Sequence, residues 1–113
     1  MTTEARQRLD LTVSEKDFLR DVTNYALMRD WLVYHTHRSD HSAAGFPDLC
    51  LVRSLEADHR VVFAELKTEK GRVSPAQHRW LDALASVAGF SCASVQVFTW
   101  RPSNFDTIVE VLR

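Results

Sequence analysis

Apolar residues at Phe18, Leu19, Val22, Tyr25, Ala26 and Leu32 recur at helical spacing behind Ser14, which with Asp17 three residues on resembles a capping box. The pattern predicts a helix over residues 14–30. Residues 31–37 are rich in aromatic and β-branched side chains and read as a strand, ended by the polar tract 38–44 and by Gly45. Two short apolar runs follow, 48–53 and 60–67, separated by a charged stretch about the size of a hairpin connection, so they are expected to pair antiparallel with a turn near Ala57. Ser74-Pro75-Ala76-Gln77 combines a serine cap, a proline at the first helical position and a glutamine at the third, ahead of Trp80, Leu81, Leu84, Val87 and Ala88. This second helix is expected to stop near Gly89 in a left-handed cap. Residues 91–100 form a further expected strand, and Arg101-Pro102-Ser103 leads into a short amphipathic helix carrying Phe105, Ile108, Val109 and Leu112. The order αβββαβα implies one α/β domain over residues 1–113, a small mixed sheet flanked by helices, with residues 1–12 as a flexible lead-in.

Composition narrows the class. A chain of 113 residues supports one hydrophobic core, and 45% hydrophobic with 26% charged residues excludes wholesale disorder. Apolar runs fall far short of the ~18 residues a membrane helix needs, and the polar start lacks a signal-peptide core, so the expectation is a soluble, cytoplasmic protein. Fourteen Lys plus Arg against fifteen Asp plus Glu leave a net charge of −1, which gives no bulk field for nucleic acid. Residues 60–80 are locally basic, however, with Arg60, Lys67, Lys70, Arg72 and Arg79 against Glu65 and Glu69. Cys50 and Cys92 lie in apolar runs without CxxC spacing and read as buried thiols.

The chemically informative segment is Gly45-Phe46-Pro47-Asp48, followed seventeen residues later by Glu65-Leu66-Lys67 at the end of the next strand. Strand periodicity puts Glu65 and Lys67 on one face with Phe63 and Val61 behind them, and Leu66 on the other. An antiparallel hairpin would bring Asp48, which opens the partner strand, close to Glu65. Two carboxylates beside a lysine are hard oxygen ligands of the kind Mg²⁺ or Mn²⁺ takes. Glu15 shares the stripe of Phe18, Leu19 and Val22 and is expected to face inward, where a carboxylate needs a cation, a metal or backbone donors. Gln77 shares the stripe of Trp80, Leu81 and Leu84, although the capping box explains it equally well.

Together with Trp80-Leu81 and the closing Phe98-Thr99-Trp100-Arg101-Pro102, these residues resemble the VRR-NUC family of the PD-(D/E)XK nuclease superfamily, from Glu15 to the C-terminus. The resemblance implies a PD-(D/E)XK core of restriction-endonuclease type. It also implies that Asp48, Glu65 and the Leu66 backbone carbonyl bind the metal, that Lys67 orients or activates the attacking water, and that Glu15 and Gln77 line the site, Glu15 directly or through water. The implied reaction is Mg²⁺- or Mn²⁺-dependent hydrolysis of a DNA phosphodiester. Stand-alone phage and bacterial members suggest a homodimer acting on branched DNA such as a four-way junction, in a bacterial or phage-infected cell.

Lys70-Gly71-Arg72 forms a basic turn directly after the metal-binding strand, and with Arg79 it is the expected phosphate-contacting set. His35 and His37 alternate on a strand without an evident third ligand, and read as structural or DNA-proximal. The alternative function is a nuclease-fold module that binds DNA or a partner, with flap or restriction-type cleavage latent until that partner joins. An intact Asp48, Glu65 and Lys67 set argues against pure binding. No fused recognition domain is expected, which argues against sequence-specific restriction, so specificity would come from DNA shape or dimer geometry.

Overall fold

The computed structural model describes residues 1–37, 42–90 and 94–113. Helices α1 (Thr3–Thr12) and α2 (Glu15–Met28) precede strands β1 (Leu32–His35), β2 (Leu49–Leu55) and β3 (Asp58–Leu66). Helix α3 (Pro75–Phe90), strand β4 (Val95–Trp100), a 3-10 turn (Pro102–Asn104) and helix α4 (Phe105–Leu112) complete the chain. The sheet order is β1-β2-β3-β4, with the first two pairings antiparallel and β3–β4 parallel. A mixed sheet flanked by helices is the expected class, but Thr3–Thr12, expected as a flexible lead-in, is helical. Thr2 caps this helix by accepting from the Ala5 N–H, and Arg6 pairs with Asp106 of α4.

Alternation along the strands divides the sheet into two faces. Leu49 and Leu51 of β2 and Val62, Ala64 and Leu66 of β3 turn to one side, where Phe18, Val22 and Ala26 of α2 and Ile108 and Leu112 of α4 close the core with Trp31 and Trp100. Burial of each large side chain contributes about 1.5–3 kcal/mol, so this layer holds the domain. On the opposite face Phe63 meets Phe46 edge-on, Phe46 meets Trp80 of α3, and Leu81 is buried beneath α3.

Two helix ends differ from expectation. Helix α2 stops at Met28 because Asp30 adopts φ 67° and the N–H groups of Asp30 and Trp31 return to the carbonyls of Leu27 and Ala26. That is a Schellman closure built on aspartate, which tolerates the left-handed region better than most residues. Helix α3 runs through Gly89 to Phe90, and among the described residues the glycine at positive φ is Gly45 instead. Ser91, Cys92 and Ala93, expected to begin the last strand, lie outside the described residues, as do residues 38–41 of the polar tract.

The hairpin is tighter than its charged sequence suggested: Leu55 pairs with Asp58, leaving Glu56 and Ala57 as the turn. The cause is a polar lock in which Asp58 accepts from both Arg53 and Arg60, and the two guanidinium groups lie 4.5 and 5.0 Å from the centre of the Trp31 ring. Arg53 also donates to the carbonyls of Arg29, Leu112 and Arg113, and Arg60 to that of Val111. Arg60, counted by sequence in the local basic stretch, is therefore a structural anchor at the far end of the hairpin from Asp48 and Glu65.

Candidate active site

Strand pairing brings the two carboxylates together. One step beyond the Leu49–Ala64 pair, Asp48 stands across from Glu65. The Leu66 backbone N–H donates to Asp48 Oδ2 at 2.8 Å, which fixes the carboxylate at the strand ends beside the Leu66 peptide. Glu65 is 1% exposed, and no donor reaches either oxygen of its carboxylate; as the protonated acid it can bond to the Asp48 carboxyl. Burial first and the Asp48 carboxyl second push Glu65 well above the ordinary carboxylate range; the Lys67 ammonium opposes this and Glu15 adds to it.

Leaving a buried polar group unpaired costs about 1–3 kcal/mol, and more when it is charged. The arrangement fits a divalent cation, which would meet carboxylates from Asp48 and Glu65 and find the Leu66 carbonyl nearby. Among the described residues no three His, Cys, Asp or Glu side chains gather into a ready-made cage. Such sparse ligation suits Mg²⁺, which keeps several waters and shares the substrate's phosphate.

The loop before β2 is locked against α3. Gly45 sits at φ 94°, and a Cβ there would lie 2.4 Å from the Ala76 carbonyl carbon and oxygen and 2.8 Å from the Gln77 nitrogen. Glycine is thus required twice, for its backbone angle and for the close approach of the first turn of α3. The Trp80 indole N–H donates to the Ala44 carbonyl at 3.1 Å, and Thr36 holds the other side, with its hydroxyl on the Pro47 carbonyl at 2.7 Å and its N–H on the Asp48 carbonyl at 2.8 Å. Gly45 stood out in the sequence as the end of a polar tract and as part of a motif, and Thr36 carried no signal because its partners are contributed by tertiary approach.

Asp48 opens onto two clefts, each of about 410 Å³. One is lined by Thr36, His37, Phe46, Ser74 and Gln77; the other by Glu15, Lys16, Leu19, His35 and Leu66. Gln77 forms the expected capping box, its Oε1 accepting from the Ser74 N–H at 2.8 Å while the Gln77 N–H donates to Ser74 Oγ. It also lines the Asp48 cleft, so the cap and a site position coexist. Glu15 does not face inward as expected. It is exposed at the first turn of α2, ahead of the buried Phe18 and Val22, and borders the cleft it shares with Asp48. His35 and His37 contact each other, with ring centroids 4.7 Å apart, one ring lining each cleft.

Lys67 is half-buried and close enough to Glu65 to stabilise its ionised form. Lys70, Arg72 and Arg79 are exposed, and none is ion-paired among the described residues. Cys50, expected as a buried thiol, is free and only half-buried, and burial raises its pKa. Cys92 lies outside the described residues. No helix among them is long and apolar enough to cross a membrane.

The VRR-NUC domain model matches residues 9–99 of the chain. A solved structure described as a VRR_NUC domain aligns with a TM-score of 0.52 at 24% identity, covering 80% of this chain and 91% of that one. No curated protein matches the sequence.

Proposed function

The chain belongs to the VRR-NUC family, a nuclease-type domain with a PD-(D/E)XK-like core, and we propose that it is a divalent-metal-dependent, structure-selective DNA endonuclease. The observation that carries this reading is Glu65, buried without a donor to either carboxylate oxygen and facing Asp48 at the ends of two paired strands. Asp48, Glu65 and the Leu66 carbonyl would hold Mg²⁺ or Mn²⁺, with Glu15 contributing directly or through water. When bound, that ion polarises the phosphoryl oxygen and lowers the pKa of water.

The protein's own groups supply the rest. Lys67 Nζ donates hydrogen bonds, so it can orient the attacking water and neutralise a non-bridging phosphate oxygen beside the carboxylates. Gln77, anchored by its cap to Ser74, lines the entry to Asp48 and offers an amide to the water or the phosphate. Exposed, unpaired Lys70, Arg72 and Arg79 neutralise flanking phosphates, a contribution that registers the DNA without reading its sequence.

Selectivity for branched DNA, including four-way junctions, would come from two sites in a homodimer, since the described residues contribute one such carboxylate pair and paired strands need two cuts. The β1 edge of the sheet face that carries Phe63 supports this: Leu32 and Tyr34 of β1 are 73% and 62% exposed and stand beside Val52 and Cys50 of β2. Clustered apolar side chains on a sheet face mark an interaction surface more often than a solvated one.

Cleavage of junction, flap, nicked and linear DNAs with Mg²⁺ and Mn²⁺, together with sedimentation of the free protein and its complexes, tests the proposal. Metal-dependent cutting that favours branched DNA by a dimer is expected, with Asp48→Ala and Glu65→Ala losing both cleavage and calorimetric metal binding. Equal cutting of linear and branched duplexes, or a monomer both free and bound, would remove the junction reading. Cleavage that appears only when another protein is added would favour a latent, partner-dependent module, whose partner the same apolar face would suit.

A further inference from the structure

From the hydrogen bonds around Arg101 we infer that this residue positions the segment after the metal-binding strand, and through it both Lys67 and the phosphate-contacting cations. The inference rests on the nuclease reading for its consequence, but its structural half stands alone. Strand β4 runs parallel to β3 with Trp100 paired to Leu66, and the Lys67 N–H donates to the Trp100 carbonyl at 3.0 Å. The next residue of β4's exit, Arg101, therefore emerges directly beside Lys67.

Its Nη1 donates to the carbonyls of Thr68 and Gly71, each at 2.7 Å, and more weakly to that of Glu69 at 3.3 Å. One half-buried guanidinium thus gathers three carbonyls from a four-residue turn. Arg101 forms no ion pair among the described residues, so those carbonyls are the acceptors its charge meets. Hydrogen bonds from an ionised donor are shorter and stronger than neutral ones.

Both sides of this clamp are themselves fixed. The Arg101 backbone N–H donates to Asn104 Oδ1 at 2.8 Å, and the Ser103 N–H donates to a Glu69 carboxylate oxygen at 3.2 Å. Within the turn the Gly71 N–H returns to the Thr68 carbonyl at 3.1 Å. The clamped residues lie between Lys67, beside the carboxylates, and the exposed cations Lys70 and Arg72. Without the clamp, the turn would keep its chain connection to Lys67 but lose the bonds that set its direction.

Arg101→Ala and Arg101→Lys separate the steps. Amide hydrogen exchange reads the clamp without reference to activity: Arg101→Ala should accelerate exchange at Glu69, Lys70 and Gly71 while leaving β2 and β3 protected. Single-turnover cleavage should then slow by about ten- to a hundredfold, the scale of a misplaced catalytic group, with calorimetric Mn²⁺ affinity unchanged. Arg101→Lys keeps the charge but lacks the planar fork, so it should recover part of both effects. Unchanged exchange in the turn overturns the clamp. Faster exchange with undiminished cleavage overturns the positioning role. Should Arg101→Ala expose the whole sheet, Arg101→Lys decides: full cleavage despite a loosened turn overturns the inference, and a parallel partial loss supports it. If the unmodified protein cuts no DNA, the nuclease reading fails while the exchange result still decides the clamp.

Discussion

Replacing Glu65 by glutamine should make the metal-free protein more stable at neutral pH while abolishing its response to metal. In the folded state burial and the Asp48 carboxyl raise the Glu65 pKa, so the folded protein retains a proton that the unfolded chain has already released. The contribution of this group to stability is therefore complete below the ordinary carboxylate value near 4.5 and is lost progressively as pH rises towards the raised folded value. A tenfold difference in proton affinity between the folded and unfolded chain corresponds to about 1.4 kcal/mol, which sets an upper limit of roughly 3 kcal/mol at pH 7. Relaxation around the cleft and entry of water reduce this to about 1–3 kcal/mol. The amide introduced by Glu65→Gln would keep the shape, carry no charge and offer an N–H to Asp48, removing the penalty. For a domain of this size the gain is about 4–12 °C in Tm at pH 7 to 8, shrinking to nothing near pH 4.5. Scanning calorimetry in chelator across that range measures it. Mn²⁺ at a hundredfold excess over its Kd should then stabilise the unmodified protein by about 2.7 kcal/mol and leave Glu65→Gln unmoved. A variant no more stable than its parent at pH 8, or one whose advantage survives at pH 4.5, would refute the account of Glu65 as a strained, cation-seeking carboxyl.

Lys67→Ala should lose turnover while keeping DNA affinity and Tm; a variant with most of its single-turnover rate intact would remove Lys67 from the chemical step. Gly45→Ala should cost more than about 2 kcal/mol, because the added Cβ meets the backbone of Ala76 at a φ that L-residues avoid; chemical denaturation reads the loss. Arg60 and Arg53 hold Asp58 down to about 2, so its stabilisation is present above its ordinary value of 3.8 and disappears as pH falls towards 2. Asp58→Asn should accordingly destabilise the protein at pH 6 and have little effect at pH 2, as acid titration of Tm would show. Charge reversal at Arg72 should weaken binding of all DNAs alike and flatten the salt dependence, leaving branch preference intact; a selective loss for one DNA would assign Arg72 a reading role.

The sequence determined the elements whose cause is local. The Ser74–Gln77 cap, the alternation along β3 and the stripe of α2 from Phe18 to Ala26 each follow from neighbours a few residues apart and reappear in the fold, whereas Leu32, counted in that stripe, opens β1 and is exposed. The pairing of Asp48 with Glu65 was also legible, because a hairpin turning near Ala57 fixes which strand positions face each other. Tertiary structure decided the rest, where partners are distant in the chain. Glu15 lies on an apolar stripe yet is exposed at the mouth of a cleft, and only the placement of α2 reveals that. The helix expected to reach residue 30 ends at Met28 because Asp30 takes the left-handed conformation, aided by burial of Trp31 beneath two guanidinium groups. Arg60 looked like part of a basic surface until Asp58, Gln96 and the Val111 carbonyl claimed it. Arg101 stood in the closing motif, but its role as a clamp carried no local signal, since its three acceptors lie thirty or more residues earlier and converge on it because β3 and β4 run parallel. A charged side chain's neighbours are set by strand order and helix placement, which no short window of sequence contains.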